Sequence, residues 1–159
     1  MQIILMMFQQ FAFKSSENNF MLITYPQPNG QVAVVTPSRH VNDAIKDVPE
    51  GVEYKIVESV DIDNTFFNAY EFDREIGAKI NISKAKEVWL ERYRRARTPL
   101  LEKLDVDFMR ADEAGNLELK KEIASKKQAL RDVTKTELPD TLEGIKNTWP
   151  EILGKNPFI

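Results

Sequence analysis

From Ser83 to Val133 the apolar positions recur with the period of an α-helix. Ala85, Trp89, Tyr93, Ala96, Leu100, Leu104, Phe108 and Ala111 follow one another at steps of three and four, with charged residues between them. Such steps place side chains on one helix face, and a face of that kind is buried against something. A second stripe, Leu119, Ile123, Lys126, Leu130 and Val133, follows Gly115-Asn116. Gly-Asn is a composition with which a chain leaves a helix through left-handed backbone. The pattern predicts an antiparallel helical hairpin over residues 83–133, its two stripes facing each other. Ser83 is the expected N-cap. Pro99 removes one helical hydrogen bond and crowds the preceding turn, at about 3 kcal/mol. The stripe nevertheless keeps its phase from Ala96 to Leu100, so a kinked but continuous helix is expected rather than a restart with Thr98 as cap.

Residues 21–79 carry a different pattern. The β-branched runs Met21–Tyr25 and Gln31–Thr36 flank Pro26-Gln27-Pro28-Asn29-Gly30, a hairpin signal with a lengthened loop. Val41–Val48 suits two helical turns, capped by Asn42 or Ser38 and ended by Pro49-Glu50-Gly51. Glu53–Val57 alternates as a half-buried strand does. Phe66–Phe72 is expected as a fourth short strand or extended segment whose aromatics seal the sheet. In residues 134–159, Asp140 and Glu143 are spaced as a capping-box-like pair for a short helix through Lys146. Trp149-Pro150 ends that helix, Trp149 packs on the hairpin, Glu151–Leu153 adds a turn, and Gly154–Ile159 is expected to be loose. Residues 1–20 hold an apolar run, Ile3–Phe8, with no turn or cap joining it to Met21. They are expected as an extended or disordered N-terminal segment, with Met21 as an alternative natural start and an amphipathic segment that docks on a partner as the rival reading. The fold class that emerges is α+β: a small antiparallel β-rich head, a long helical hairpin and a short C-terminal helix.

Composition narrows the chemistry. The 159 residues contain no cysteine, which excludes disulfides, zinc–thiolate sites and thiol catalysis. The single histidine, His40, follows Pro37-Ser38-Arg39 in an expected loop with no identifiable partner for a triad. Asp61-Ile62-Asp63-Asn64 invites a calcium reading but lacks the glycine and distal glutamate of the twelve-residue loop, so a solvated turn is expected. No catalytic residue, cofactor or metal is therefore assigned. The longest apolar run is far short of the roughly 20 residues that span a bilayer, and no signal-peptide pattern precedes it. Synthesis in the cytoplasm and no membrane partner are expected.

A net charge of −3 disfavours a dedicated nucleic-acid binder. Between positions 84 and 131 thirteen Lys or Arg face nine Asp or Glu. Their interleaving at three and four residues is that of a solvated helix surface, which outweighs a nucleic-acid groove. The acids between Asp43 and Glu75 leave open a second reading, a nucleic-acid-mimicking surface.

Several segments resemble small proteins of tailed bacteriophages and prophages. They are Lys84–Trp89, Arg94–Leu101, Leu104–Ala111, Lys127–Val133 and Trp149-Pro150. The order Arg94-x-x-Arg97-x-x-Leu100-Leu101, then Ala129-Leu130-Arg131-Asp132-Val133, then Trp149-Pro150 is similar to the C-terminal region of phage tail-fibre assembly proteins. In that family an aromatic pair precedes the Leu-Arg-Asp; here Lys126-Lys127 stand there. The resemblance covers roughly the last half of the chain. It implies a non-enzymatic chaperone or minor structural subunit in the host cytoplasm, or in the virion tail, with a tail or tail-fibre protein as partner and self-association left open. The alternative is a phage regulator or host-defence inhibitor acting through the acidic head. For partner contact the hairpin's charged outer face offers Arg94, Arg97 and Arg131, since arginine pairs directed hydrogen bonds with a packing stem. Each could equally be an ordinary surface ion pair.

Overall fold

A computed structural model describes residues 21–38 and 40–158; the segment expected over residues 1–20 lies outside them. Strand β1 (Leu22–Pro26) pairs antiparallel with β2 (Val32–Val35) on one edge and β3 (Lys55–Val57) on the other. The β1–β2 loop closes as its composition directs: the Asn29 side chain accepts the Gln31 amide at 3.0 Å, and Gly30 has φ +76°. Being central, β1 buries both faces, with Ile23 and Thr24 fully covered. Helix α1 (Val41–Ile45) is shorter than expected, and His40, without a side-chain bond, stands at its N-cap in place of Asn42 or Ser38. Beyond Ile45 the chain tightens into turns, Asp47 and Val48 donating to Ala44 and Ile45.

The expected strand over Phe66–Phe72 is corrected. A 3-10 helix occupies Asn64–Ala69, and β4 (Tyr70–Asp73) begins only afterwards. Asp63 causes the change: its carboxylate accepts the Thr65 amide at 2.9 Å and starts a turn. Phe66 and Ala69, three residues apart, then bury on the same side. In the Asp61–Asn64 stretch, Asp61 and Asn64 are exposed, as a solvated turn requires, while the half-buried Asp63 caps the helix that follows. Strand β4 pairs with β5 (Gly77–Ile80), for which the sequence pattern had offered no strand. Gly77 is required twice over. Its φ is +84°, and a Cβ there would stand 2.9 Å from Thr24 Oγ1 where the two sheets meet.

Helix α2 (Ile82–Glu113) follows, continuous through Pro99 with no restart at Thr98. Its cap is Asn81, not Ser83. Asn81 accepts the Lys84 amide through its side chain, donates its own amide to Ala69 O and gives Nδ2 to Glu71. The end of β5 thus sets where α2 starts, a tertiary constraint no cap rule contains. At the far end Gly115 (φ +64°) donates to Asp112 O, and Asn116 donates to Ala111 O. This paired closure is the Schellman arrangement. Asn116 then caps α3 (Leu117–Asp132) by accepting the Leu119 amide at 3.0 Å. One Gly-Asn pair therefore ends one helix and begins the next, as the sequence predicts.

After a 3-10 turn at Val133–Lys135 the chain returns along the hairpin to α4 (Leu142–Asn147) and a last 3-10 turn at Glu151–Leu153. Thr141 caps α4 by accepting the Gly144 amide, while Asp140 reaches Lys86 on α2 at 2.7 Å. The capping pair expected from Asp140 is thereby replaced. Trp89, Tyr93, Phe66 and Ile145 are fully buried in the main core. The architecture is α+β, with small antiparallel sheets followed by the long hairpin and a short helix.

Candidate protein-docking groove

The two halves of the hairpin are covered differently. In the half next to the head, the returning tail lies on α2. Both Trp89 Nε1 and the Tyr93 hydroxyl donate to Thr148 O, the former at 2.9 Å. Trp149 stands edge-on to both rings, at 6.1 and 5.3 Å between centroids. Phe158 in turn packs on Trp149 and lies under the Arg92 guanidinium, 4.8 Å from its ring. Phe158 thus touches Trp149 and Arg92 while remaining 37% exposed, and Gly154, Lys155 and Pro157 before it are exposed. Arg92 also donates to Thr65 O at 2.7 Å and sits 5.0 Å over Trp89. Burial lowers its pKa, with the nearby Asp63 carboxylate opposing that effect. Burial likewise pushes the Tyr93 phenol up.

Toward Gly115 this cover stops. Leu104, Ala111, Leu119 and Ile123 form the aliphatic floor of a groove of about 350 Å³ between α2 and α3, rimmed by Asp107, Arg110 and Lys126. The sequence stripes had named all four floor residues as core sealed between the helices. Ala111 and Ile123 are so buried, at 2% and 4% exposed, whereas Leu104 is only half-buried and Leu119 is 42% exposed. Lys126, counted in the second stripe, is an exposed rim residue paired with Glu122 at 2.5 Å. Two helices cover only part of each other's faces, and here no third layer completes the burial.

The opposite side of the same seam is closed. Asp107 and Phe108 are neighbours on α2 and fall about 100° apart around it, so they border opposite sides. Lys120 and Lys127 reach across from α3 over the Phe108 ring, 5.3 and 5.0 Å from its centroid. Their ammonium groups pair with Asp112 and Asp105 on α2. Lysine stems cover the apolar ring while the charged heads stay at the surface. Of the adjacent Lys126 and Lys127, Lys127 thus covers this ring and Lys126 is a rim charge.

The arginines singled out from the sequence do not converge. Arg94 pairs with Glu91 at 3.2 Å and Glu87 at 3.9 Å along its own helix. Arg97 donates to Arg131 O at 2.8 Å, binding a carbonyl at the end of α3, where a cation is electrostatically favoured. Arg131 is exposed, and its backbone rather than its side chain meets α2. Arg97 is accordingly a brace of the hairpin. Four of the ten acids between Asp43 and Glu75 are engaged internally; three of these pairings are Glu53 with Arg74, Glu71 with Lys84, and Asp73 with the Glu75 and Ile76 amides. Asp63 caps its turn and pairs with Lys146 of α4. Burial would raise the Asp63 pKa, but the Lys146 and Thr65 bonds outweigh it and hold the carboxyl below the usual range. His40 is exposed at the start of α1.

Among the described residues no group of three His, Cys, Asp or Glu side chains is placed to hold a metal ion. No described helix is long and apolar enough to cross a membrane. Comparison with known proteins returned no matching family model, no matching curated protein and no matching solved structure.

Proposed function

We propose that this chain is a non-enzymatic, bacteriophage tail-associated protein that binds a tail-fibre component as an assembly chaperone or minor structural subunit. The observation that carries the protein-binding part is the open aliphatic groove at the Gly115 end of a braced hairpin. Uncovered apolar surface held on rigid helices suits protein recognition. The tail-fibre identity of the partner rests on the sequence resemblance of the last half of the chain, which contains both walls of the groove. Partner contact centres on Leu104 and Leu119, with Arg94 and Arg131 at its periphery and Arg97 acting through hairpin geometry.

Co-expression with the fibre gene of the same genome, followed by affinity capture and size-exclusion chromatography, tests the proposal. A stoichiometric complex with a fibre or tail subunit is expected. Failure of every tail component to co-purify would remove the tail assignment. Against the acidic-surface alternative, four of its ten acids, Glu53, Asp63, Glu71 and Asp73, already have internal cationic or amide partners. Competition with DNA for a host protein would restore it.

A further inference from the structure

The loop between β1 and β2 carries the chain's single Asn-Gly step, Asn29-Gly30. Asparagine before glycine is chemically labile, because glycine has no side chain to hinder its own nitrogen from reaching the asparagine carboxamide. In that reaction the Gly30 nitrogen gives up its proton and bonds to Asn29 Cγ, the Cγ–Nδ2 bond breaks, and the amide nitrogen leaves as ammonia. Water then opens the cyclic imide at either carbonyl, leaving aspartate or isoaspartate. Water is the sole co-reactant, and Asn29 and Gly30 are both exposed to it.

The folded loop engages each group this chemistry uses. The Gly30 N–H donates to Gln27 O at 2.9 Å, so the proton that must leave the nucleophile is committed to a turn bond. The Asn29 carboxamide is held at both ends by Gln31: Oδ1 accepts the Gln31 amide and Nδ2 donates to Gln31 Oε1, each at 3.0 Å. Swinging Cγ toward the Gly30 nitrogen breaks these bonds. The Gln27 amide donates to Gln31 O at 2.8 Å and closes the loop around them. Lys84 of α2 ties the loop down from outside, donating to Gly30 O at 3.0 Å while pairing with Glu71 of β4 at 2.7 Å.

We propose that Asn29 is a latent deamidation site, guarded by the closed β1–β2 loop and converted when that loop opens, with Lys84 setting how often it opens. The change does not reverse. Aspartate keeps an acceptor for the Gln31 amide but offers no donor to Gln31 Oε1. Isoaspartate carries the main chain through the former side chain, which lengthens the loop by one carbon and displaces the Gln27–Gln31 closure.

The test incubates the full-length chain in mildly alkaline buffer, folded and in urea, and follows isoaspartate at Asn29 by peptide mapping with mass spectrometry. Conversion should be at least about tenfold slower in the folded chain, as expected for a reaction that waits on local opening. Lys84→Met retains the aliphatic stem and removes the tie, and should speed conversion in the folded state about two- to fivefold. Its thermal melt should stay close to the parent's, which separates an open loop from a lost fold. Equal rates for the folded and urea-treated parent overturn the guarded site. A folded Lys84→Met that converts no faster than the parent overturns the role given to Lys84.

Discussion

The head-proximal and distal halves of the hairpin are built on the same two helices and the same stripes, yet only one is covered by a third layer. Near the head, Ala85, Trp89 and Tyr93 are completely shielded because the 3-10 turn at Asn64–Ala69 and the returning tail form a third layer over α2. Beyond Pro99 the layer is missing on one side and replaced on the other by lysine stems over Phe108. Helical periodicity states which face is apolar. It does not state what covers that face. The contrast divides the molecule into a part sealed by a third layer and a part without one.

The contrast is broken most forcefully at Trp89. Trp89→Ala removes a fully buried indole, its bond to Thr148 O and its contacts with Phe66 and Trp149. A loss of about 3–5 kcal/mol is expected, measured as the shift of a urea unfolding curve. Leu119→Ala in the distal half should cost less than about 1 kcal/mol, because much of that side chain is already solvated. Equal losses would show the two halves to be one core.

Next in size is the tie between head and tail at Asp63. Asp63→Asn keeps an acceptor for the Thr65 amide but discards the charge that holds Lys146. We expect a loss of about 1–2 kcal/mol at neutral pH. The sign of the pH dependence follows from the depressed pKa of Asp63 in the folded state. Its contribution is present above the unfolded value near 3.8 and is lost as pH falls through the lower folded value. Parent and variant should therefore converge in stability on acidification below about pH 4. A difference that persists unchanged at pH 2 would assign the effect to packing instead.

Much of this division could be anticipated from the chain, and the exceptions have a common cause. The turn at Gly115-Asn116, the β1–β2 hairpin and the seating of Trp149 each follow from local chemistry or a single long apolar residue. The cap at Asn81, the 3-10 turn after Asp63 and the cap at Thr141 were not anticipated. Each is fixed by a partner distant in sequence or by a choice between adjacent capping residues: Ala69 and Glu71 for Asn81, Lys86 drawing Asp140 away from α4, and, for a turn that starts locally at the Thr65 amide, Lys146 holding Asp63. The groove escaped for the same reason. Its floor residues were visible as stripes, but the point at which the returning tail ceases to cover them is set by tertiary packing.

A smaller and more local effect sharpens the distal half. Gly115 has φ +64°, and nothing stands within 4 Å of a Cβ placed there. Gly115→Ala therefore suffers only the left-handed backbone penalty, about 1 kcal/mol, with no steric addition. Since the turn sits at the free end, the loss should show as faster amide exchange of α3's first turn rather than collapse of the Trp89 core. Increased exchange throughout the head would contradict independent behaviour of the two halves.

The smallest expected effect concerns the closed side of the distal seam. Lys127 is 15% exposed at its side chain, with its stem over Phe108, while its Asp105 partner is 56% exposed. An exposed carboxylate contributes little Coulomb energy in water, so a double-mutant cycle of Lys127→Met and Asp105→Asn should give a coupling of at most about 0.5–1 kcal/mol. That coupling should shrink as salt is raised. The ring cover is a separate matter, because methionine retains an apolar stem over Phe108 when the charge is gone. Lys127→Met should therefore preserve most of the stability that Lys127→Ala loses, at low and high salt alike. If the methionine variant were as damaged as the alanine one, the ammonium rather than the stem would be what closes this side. The distal hairpin would then be held by charge where the proximal half is held by packing.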